Sequence, residues 1–200
     1  MVFIGSRNLE RAKMAAESIL RTAGPTANVI GLLNEEATAK ADVVVVTVPF
    51  SALGETLKTV KPSLRPGQIV VNVTVPLETA IGGKPTHTIG VWAGSAGELA
   101  ATMVPKGVKV VSAFNNVSAE LLSDISHQVE CDILICGADD DAKQVVMELA
   151  RAISGARPLD AGPLENSRII EQLTALLVSL NMRHGVKTAG LRITGINSNR

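Results

Sequence analysis

The chain has 200 residues, 46% of them hydrophobic, and its 19 Lys and Arg balance 19 Asp and Glu to a formal net charge of zero. That length suits one domain with a small appendage and is enough to bury a sizeable core. A neutral chain lacks the basic excess of a nucleic-acid platform or a polybasic membrane binder. Two cysteines exclude a disulfide scaffold, and three Phe, one Trp and no Tyr leave little for base-stacking surfaces or sugar platforms. No apolar run approaches the ~20 residues of a membrane helix. The opening Met1-Val-Phe-Ile-Gly has neither the length nor the cationic flank of a signal peptide. A cytoplasmic protein is expected, with neither nucleic acid nor membrane as partner.

Along the chain, short β-branched runs alternate with helical stretches. Val2-Phe3-Ile4 reads as a strand, and Asn8 is placed to cap a helix from Leu9 towards Arg21. Gly24-Pro25 breaks it, Asn28-Val29-Ile30 is a short strand, and Asn34 is placed to cap a helix over Glu35 to Lys40. Residues 42–48 are continuous and β-branched, as a strand buried on both faces should be. A helix over Ser51 to Lys61, a strand over residues 68–73 and a loop over residues 74–92 follow. Ser95-Ala-Gly-Glu98 is a capping box opening a helix to about Met103. Further strands are predicted at residues 108–112, 132–136 and 157–160, with a helix from about Asp140 to Ile153. After Gly162-Pro163 the longest helix runs to about Arg183, with Ile169, Ile170, Leu173, Leu176, Leu177 and Leu180 on a broad apolar face. That face suits the main domain or a second subunit. Val186 to Ile196 alternates weakly, as a last strand would, and residues 198–200 are expected to fray. The pattern predicts an α/β fold with a doubly wound, mostly parallel sheet.

Parallel sheets bind ligands at the carboxyl ends of their strands. The first such end carries Gly5-Ser6-Arg7. In dinucleotide-binding folds an acidic residue there selects NAD, and an Arg accommodates the 2′-phosphate of NADP. Ser6 offers a hydroxyl, Arg7 a bidentate fork, and Arg11 lies one helical turn beyond on the same side. An ordinary charged first turn explains the same residues. The next end, Thr47-Val48-Pro49-Phe50, offers apolar contact to a flat ring, or merely ends a strand. Asn115 and Asn116 supply amide donors and acceptors beside Phe114 and Val117; a turn with Ser118 as helix cap is equally compatible.

Other features read as structural. Gly90 to Gly97 has the wrong spacing for a phosphate cradle and suits a loop entering a helix. Cys131 and Cys136 face opposite sides of one strand, so no metal site is expected from them. Asp139-Asp-Asp141 sits where a helix amino terminus favours negative charge. His87, His127 and His184 are scattered, with no metal spacing and no nucleophile triad.

Taken together, Gly5-Ser6-Arg7, Ala41 to Pro49, Ser112-Ala-Phe-Asn-Asn-Val117, Cys136-Gly-Ala-Asp-Asp-Asp141 and Arg157 to Arg168 resemble the NADPH-dependent reductases of the 8-hydroxy-5-deazaflavin coenzyme F420. The resemblance implies a Rossmann-like domain over residues 1–160, a small C-terminal helical domain over residues 161–200, a homodimer, and hydride transfer between NADP and coenzyme F420. It assigns Ser6 and Arg7 to the 2′-phosphate, sets Arg11 among the cofactor-binding residues where the family often has a basic residue, and places Thr47, Val48, Pro49 and Phe50 at the strand end beneath NADP. Asn115, Asn116 and Val117 it assigns to the deazaflavin pocket, where some relatives carry His at the first Asn. It names no general acid or base. Measured against the family, Met1 falls inside the second strand, so a strand, a glycine-rich turn and a helix of about 25 residues are expected ahead of it. An exposed sheet flank and weak NADP binding follow from that expectation.

Three other readings accompany it. A β-hydroxy-acid dehydrogenase of the same fold would use a Lys on the helix after the Rossmann domain, yet no Lys lies between Lys143 and Lys187. An imino-acid reductase would take Ser167 or Thr174 as proton donor, and a nucleotide-binding module would have no reaction at all.

Overall fold

A computed structural model describes residues 1–24 and 26–196; the fraying expected for residues 198–200 lies outside the described residues. Strands and helices alternate as β1 (Val2–Ser6), α1 (Leu9–Ala23), β2 (Val29–Leu33), α2 (Asn34–Lys40), β3 (Val43–Val46), α3 (Phe50–Val60) and β4 (Ile69–Asn72). They continue as α4 (Ala96–Met103), β5 (Lys109–Ser112), α5 (Ala119–Ser123), β6 (Asp132–Gly137), α6 (Asp140–Arg151), β7 (Arg157–Asp160) and α7 (Ser167–His184). The fold is the α/β class the alternation predicts.

Local chemistry sets the boundaries. The Asn8 side chain accepts the Arg11 amide at 3.0 Å to start α1, and Asp139 accepts the Ala142 amide at 2.8 Å to start α6. Ser95 does the same for α4 through the Glu98 amide at 3.0 Å. Asn34 departs from its expected role: it is the first residue of α2, and Leu33 precedes it without a side-chain cap. Gly31 lets α1 lie directly on β2, because a Cβ there would sit 2.4 Å from the carbonyl carbon of Ala12.

Strand direction decides which ends can share a site. β1 and β2 form one parallel pair; β3, β4 and β5 run parallel in a second sheet that continues through β6 and β7. β6 is antiparallel to β5, and β7 is parallel to β6. The carboxyl ends of β3, β4 and β5 therefore point one way and those of β6 and β7 the other. Among the described residues no ladder joins the two sheets, and Val45, in the middle of β3, is 46% exposed.

From β4 inward the larger sheet is covered on both faces. Val70 of β4 packs with Leu53, Leu57 and Val60 of α3 and with Ala96 and Ala100 of α4. Its neighbours Ile69 and Val71 turn to the other face, against Ile133 and Ile135 of β6 and Val146 and Ala150 of α6. Period-two alternation along β4 thus feeds two cores, and Leu53, Leu57 and Val60 supply the i, i+4, i+7 stripe of α3.

Only Cys136 and Gly137 of β6 pair with β5, which leaves the β5-facing edge of Asp132 and Leu134 without a strand partner. The side-chain amide of Asn116 takes that place: its Nδ2 donates to the Asp132 carbonyl at 2.6 Å and its Oδ1 accepts the Leu134 amide at 3.2 Å. The Asp132 amide donates to the Leu191 carbonyl at 2.7 Å. Residues 186–196 thus form no strand, correcting the weak alternation read from the sequence. They are fastened instead by side chains, among them the buried Asp132 carboxylate. Asp132 accepts from Arg157 Nε at 2.7 Å, Arg157 Nη2 at 2.6 Å, Arg192 Nη1 at 3.1 Å and the Ile193 amide at 2.6 Å. Burial pushes this carboxyl up, but Arg157, the Ile193 amide and Arg192 together hold it below the usual range. Asp132→Asn leaves two guanidinium groups short of their anion and is expected to cost about 3 kcal/mol in chemical denaturation. An unchanged unfolding midpoint would contradict this account of the tail.

Candidate functional site

The residues singled out at strand ends fall into two groups. Ser6, Arg7 and Arg11 lie where β1 passes into α1. The Ser6 hydroxyl accepts the Asn8 amide at 3.2 Å, and Arg11 occupies the first turn of α1. A cation in a first turn opposes the helix dipole, so Arg11 gains nothing from its own helix. Arg7 reaches across to α3, with Nη1 3.8 Å from Glu55 Oε1 and both side chains more than 70% exposed. An exposed pair at that separation contributes little to stability and is readily exchanged for a stronger anion. Thr47 to Pro49 link β3 to α3, which begins at Phe50, and the Pro49 carbonyl accepts the Ala52 amide at 2.9 Å. Val48 and Phe50 are half-buried against the α3–α4 core, while Thr47 and Pro49 are exposed. The Arg7–Glu55 contact ties the β1 end to α3, the helix that begins at Phe50.

The second group lies at the end of β5, beside a cavity of about 300 Å³ lined by Asn115, Val117, Thr174, Leu177, Val178 and Asn181. Asn116 borders it as well, and both side-chain amides already have partners within the protein. Asn116 is spent on β6, as described above. Asn115 accepts from the Ser112 hydroxyl at 3.2 Å and donates to the Thr74 carbonyl at 3.2 Å. Both amides thus bond within the turn while bordering the cavity, beside the surface offered by Val117 and α7. Phe114, just ahead of them, has φ 63°, a left-handed conformation that is costly for a non-glycine residue.

α7 enters this site through a polar junction that the sequence did not announce. Thr174 Oγ1 donates to the Asn115 carbonyl at 2.9 Å. One turn earlier, the Glu171 carboxylate accepts the Ala96 amide at 2.9 Å and the Gly97 amide at 3.0 Å, so a side chain of α7 caps α4. The Ser95 and Ser167 hydroxyls are 2.6 Å apart, and Ser95 also donates to Glu98 at 2.9 Å. Arg168 closes the outer side with two bonds to Glu98, at 2.7 and 2.6 Å. Glu171 is 2% exposed. Its burial pushes the carboxyl up to about 7, against the two amides that favour the charged form; nearby Glu98 pushes the same way as burial. Ser167, Glu171 and Ala175, at four-residue spacing, lie on the buried side of α7. Among the described residues no group of His, Cys, Asp or Glu is arranged to hold a metal ion, and Cys131 and Cys136 are buried free thiols.

Parallel strands ending in a cationic corner, with an apolar strand end and a cavity further along, are the layout of a Rossmann-type dinucleotide fold. Residues 1–76 match the family model described as NADP oxidoreductase, coenzyme F420-dependent. The chain is 45% identical over 198 residues to the F420-dependent NADP reductase of Methanocaldococcus jannaschii, covering 98% of this chain and 88% of that one. It is 44% identical to the same enzyme of Methanothermobacter thermautotrophicus, over 98% of this chain and 84% of the relative. A crystal structure from Arthrobacter sp. FB24 superposes with a TM-score of 0.80 at 24% identity, over 96% of this chain and 88% of that one. The chain belongs to the F420-dependent NADP reductase family.

The raised Glu171 value makes a signed prediction. A carboxyl whose folded value lies above its ordinary value contributes fully at low pH and loses that contribution as pH rises, here from about 4.5 to about 7. Wild type is therefore expected to lose stability relative to Glu171→Gln across that interval, by on the order of 3 kcal/mol. Parallel denaturation curves of the two proteins at several pH values check it; a constant difference would contradict the burial argument.

Proposed function

We propose that this chain transfers hydride between NADP(H) and coenzyme F420. The observation that carries the reading is kinship over 98% of the chain with reductases of that name. The two rings supply the chemistry: the nicotinamide gives up or takes a hydride at its ring carbon, the deazaflavin does the converse at its own, and solvent balances the proton. The protein's part is to hold both rings in one orientation and keep water out, which agrees with a site that offers no acid and base pair.

In this reading residues 1–160 hold NADP, with Ser6, Arg7 and Arg11 on the 2′-phosphate and Thr47 to Phe50 beneath the dinucleotide. Arg7 exchanges its exposed contact with Glu55 for the phosphate, a stronger, bidentate partner. Residues 161–200 close the cavity against Val117 and the Asn115–Asn116 turn, where the deazaflavin binds. The competing readings find less support. α7 carries no Lys to move a proton for a hydroxy-acid dehydrogenase. Ser167 is fully buried against Ser95, and the Thr174 hydroxyl is committed to Asn115, so neither is free to protonate an imine.

A second copy of the chain is proposed along α7. Ile169, Leu176 and Leu180 are exposed and, with half-buried Leu173, follow i, i+4, i+7, i+11 spacing down one side. A cytoplasmic setting is proposed as well; no helix of the described residues is long and apolar enough to cross a membrane.

Mixing NADPH with oxidised F420 is expected to bleach the visible absorbance of the deazaflavin while NADPH is consumed mole for mole; absence of both changes would overturn the reading. Arg7→Asp is expected to weaken NADP binding by about 2–3 kcal/mol and abolish the preference over NAD. An unchanged preference would remove Arg7 from the site. Leu176→Glu is expected to halve the mass seen in sedimentation velocity, and a wild type already sedimenting as one chain would refute the dimer.

A further inference from the structure

Glu171 is the only carboxylate of α7, it is buried, and the hydride transfer proposed above gives it no proton to move. A buried carboxylate is expensive unless well partnered, and a Leu or Met would fill the same space more cheaply. What an apolar side chain would lose is direction. The two oxygens meet two successive amides, those of Ala96 and Gly97, at 2.9 and 3.0 Å, which fixes α7 both along and around its axis relative to α4. The junction has no slack: a Cβ on Gly97 would come within 3.0 Å of the Ser167 hydroxyl and 3.2 Å of Ser112 Cβ. Thr174, one turn further, then meets the Asn115 carbonyl at 2.9 Å, and Leu177, Val178 and Asn181 follow on the same rigid helix to line the cavity.

We propose that Glu171 is a positioning residue for the deazaflavin substrate, setting the register of α7 against α4 and so the place of the cavity wall formed by Thr174, Leu177, Val178 and Asn181. The proposal rests on the reading that this cavity receives the deazaflavin. It separates the two substrates: the bonds of α7 go to α4 and Asn115, whereas Arg7 of the NADP corner faces Glu55 of α3.

The test is steady-state kinetics of wild type, Glu171→Gln and Ser167→Ala, varying NADPH and F420 independently. Gln sets an NH₂ group against one of the two amide donors, so α7 must shift to relieve it. The KM for F420 is expected to rise on the order of tenfold, while the KM for NADPH stays within about twofold. Ser167→Ala, which loses only the weaker link to Ser95, is expected to move the KM for F420 in the same direction by a smaller factor. It also keeps the test alive if the Gln variant does not fold. A lower melting temperature with both KM values unchanged would reduce the junction to a structural one and overturn the proposal. Equal increases in both KM values would overturn it too. A wild type that never reduces F420 sinks the functional reading and this inference with it, whereas an active wild type with unshifted variants sinks this inference alone.

Discussion

The antiparallel entry of β6 leaves hydrogen-bonding groups on its edge that must be satisfied, and much of the site is built from how they are. Buried backbone groups without partners cost free energy on the scale of a lost hydrogen bond or more. β5 covers only Cys136 and Gly137, so the Asn116 amide and the Leu191 carbonyl complete the edge. Once Asn116 is drawn onto β6, the chain between β5 and α5 has to turn sharply, which accounts for Phe114 at φ 63°. The same edge anchors the C-terminal tail, through Asp132 and its two arginines. A cavity wall and a tail fastening thus share one cause.

A second polar arrangement holds the opposite wall. α7 could have packed on α4 through its apolar residues alone, with looser specification of register. Instead the amino end of α4 is satisfied by a carboxylate from α7, and the neighbouring serines and the Arg168–Glu98 pair complete the contact. The apolar residues of α7 are thereby divided. Ile170 and Leu177 go inward, and Ile169, Leu176 and Leu180 remain on the surface. The broad stripe read from the sequence contains two faces, one buried within this chain and one exposed.

Much of the fold was legible because local and tertiary demands agree. The β-branched runs of β3 and β4, the Asn8, Ser95 and Asp139 caps and the Leu53-Leu57-Val60 stripe each specify the element in which they occur. The tail was misread because alternation cannot distinguish a strand from a segment held by side chains: Leu191 and Ile193 pack inward, but Asp132 binds the Ile193 amide, Arg157 its carbonyl and Asn181 the Ala189 amide. Two adjacent amides carry the same signal whether they meet a ligand or the chain itself; here Asn116 bonds the unpaired edge of β6 and Asn115 bonds Ser112 and Thr74. Glu171 was invisible for a related reason. A lone Glu in an amphipathic helix reads as solvent-facing, and only the position of α4 reveals that it is a cap.

The chemistry assigned to this chain needs direct passage of a hydride from one ring to the other within a closed site. NADPH deuterated at the transferred position of its nicotinamide, reacted with oxidised F420 in ordinary water, measures that passage. The account predicts reduced F420 carrying one deuterium per NADPH oxidised, seen by mass spectrometry. Reduced F420 without deuterium, its hydrogen drawn from solvent, would contradict it.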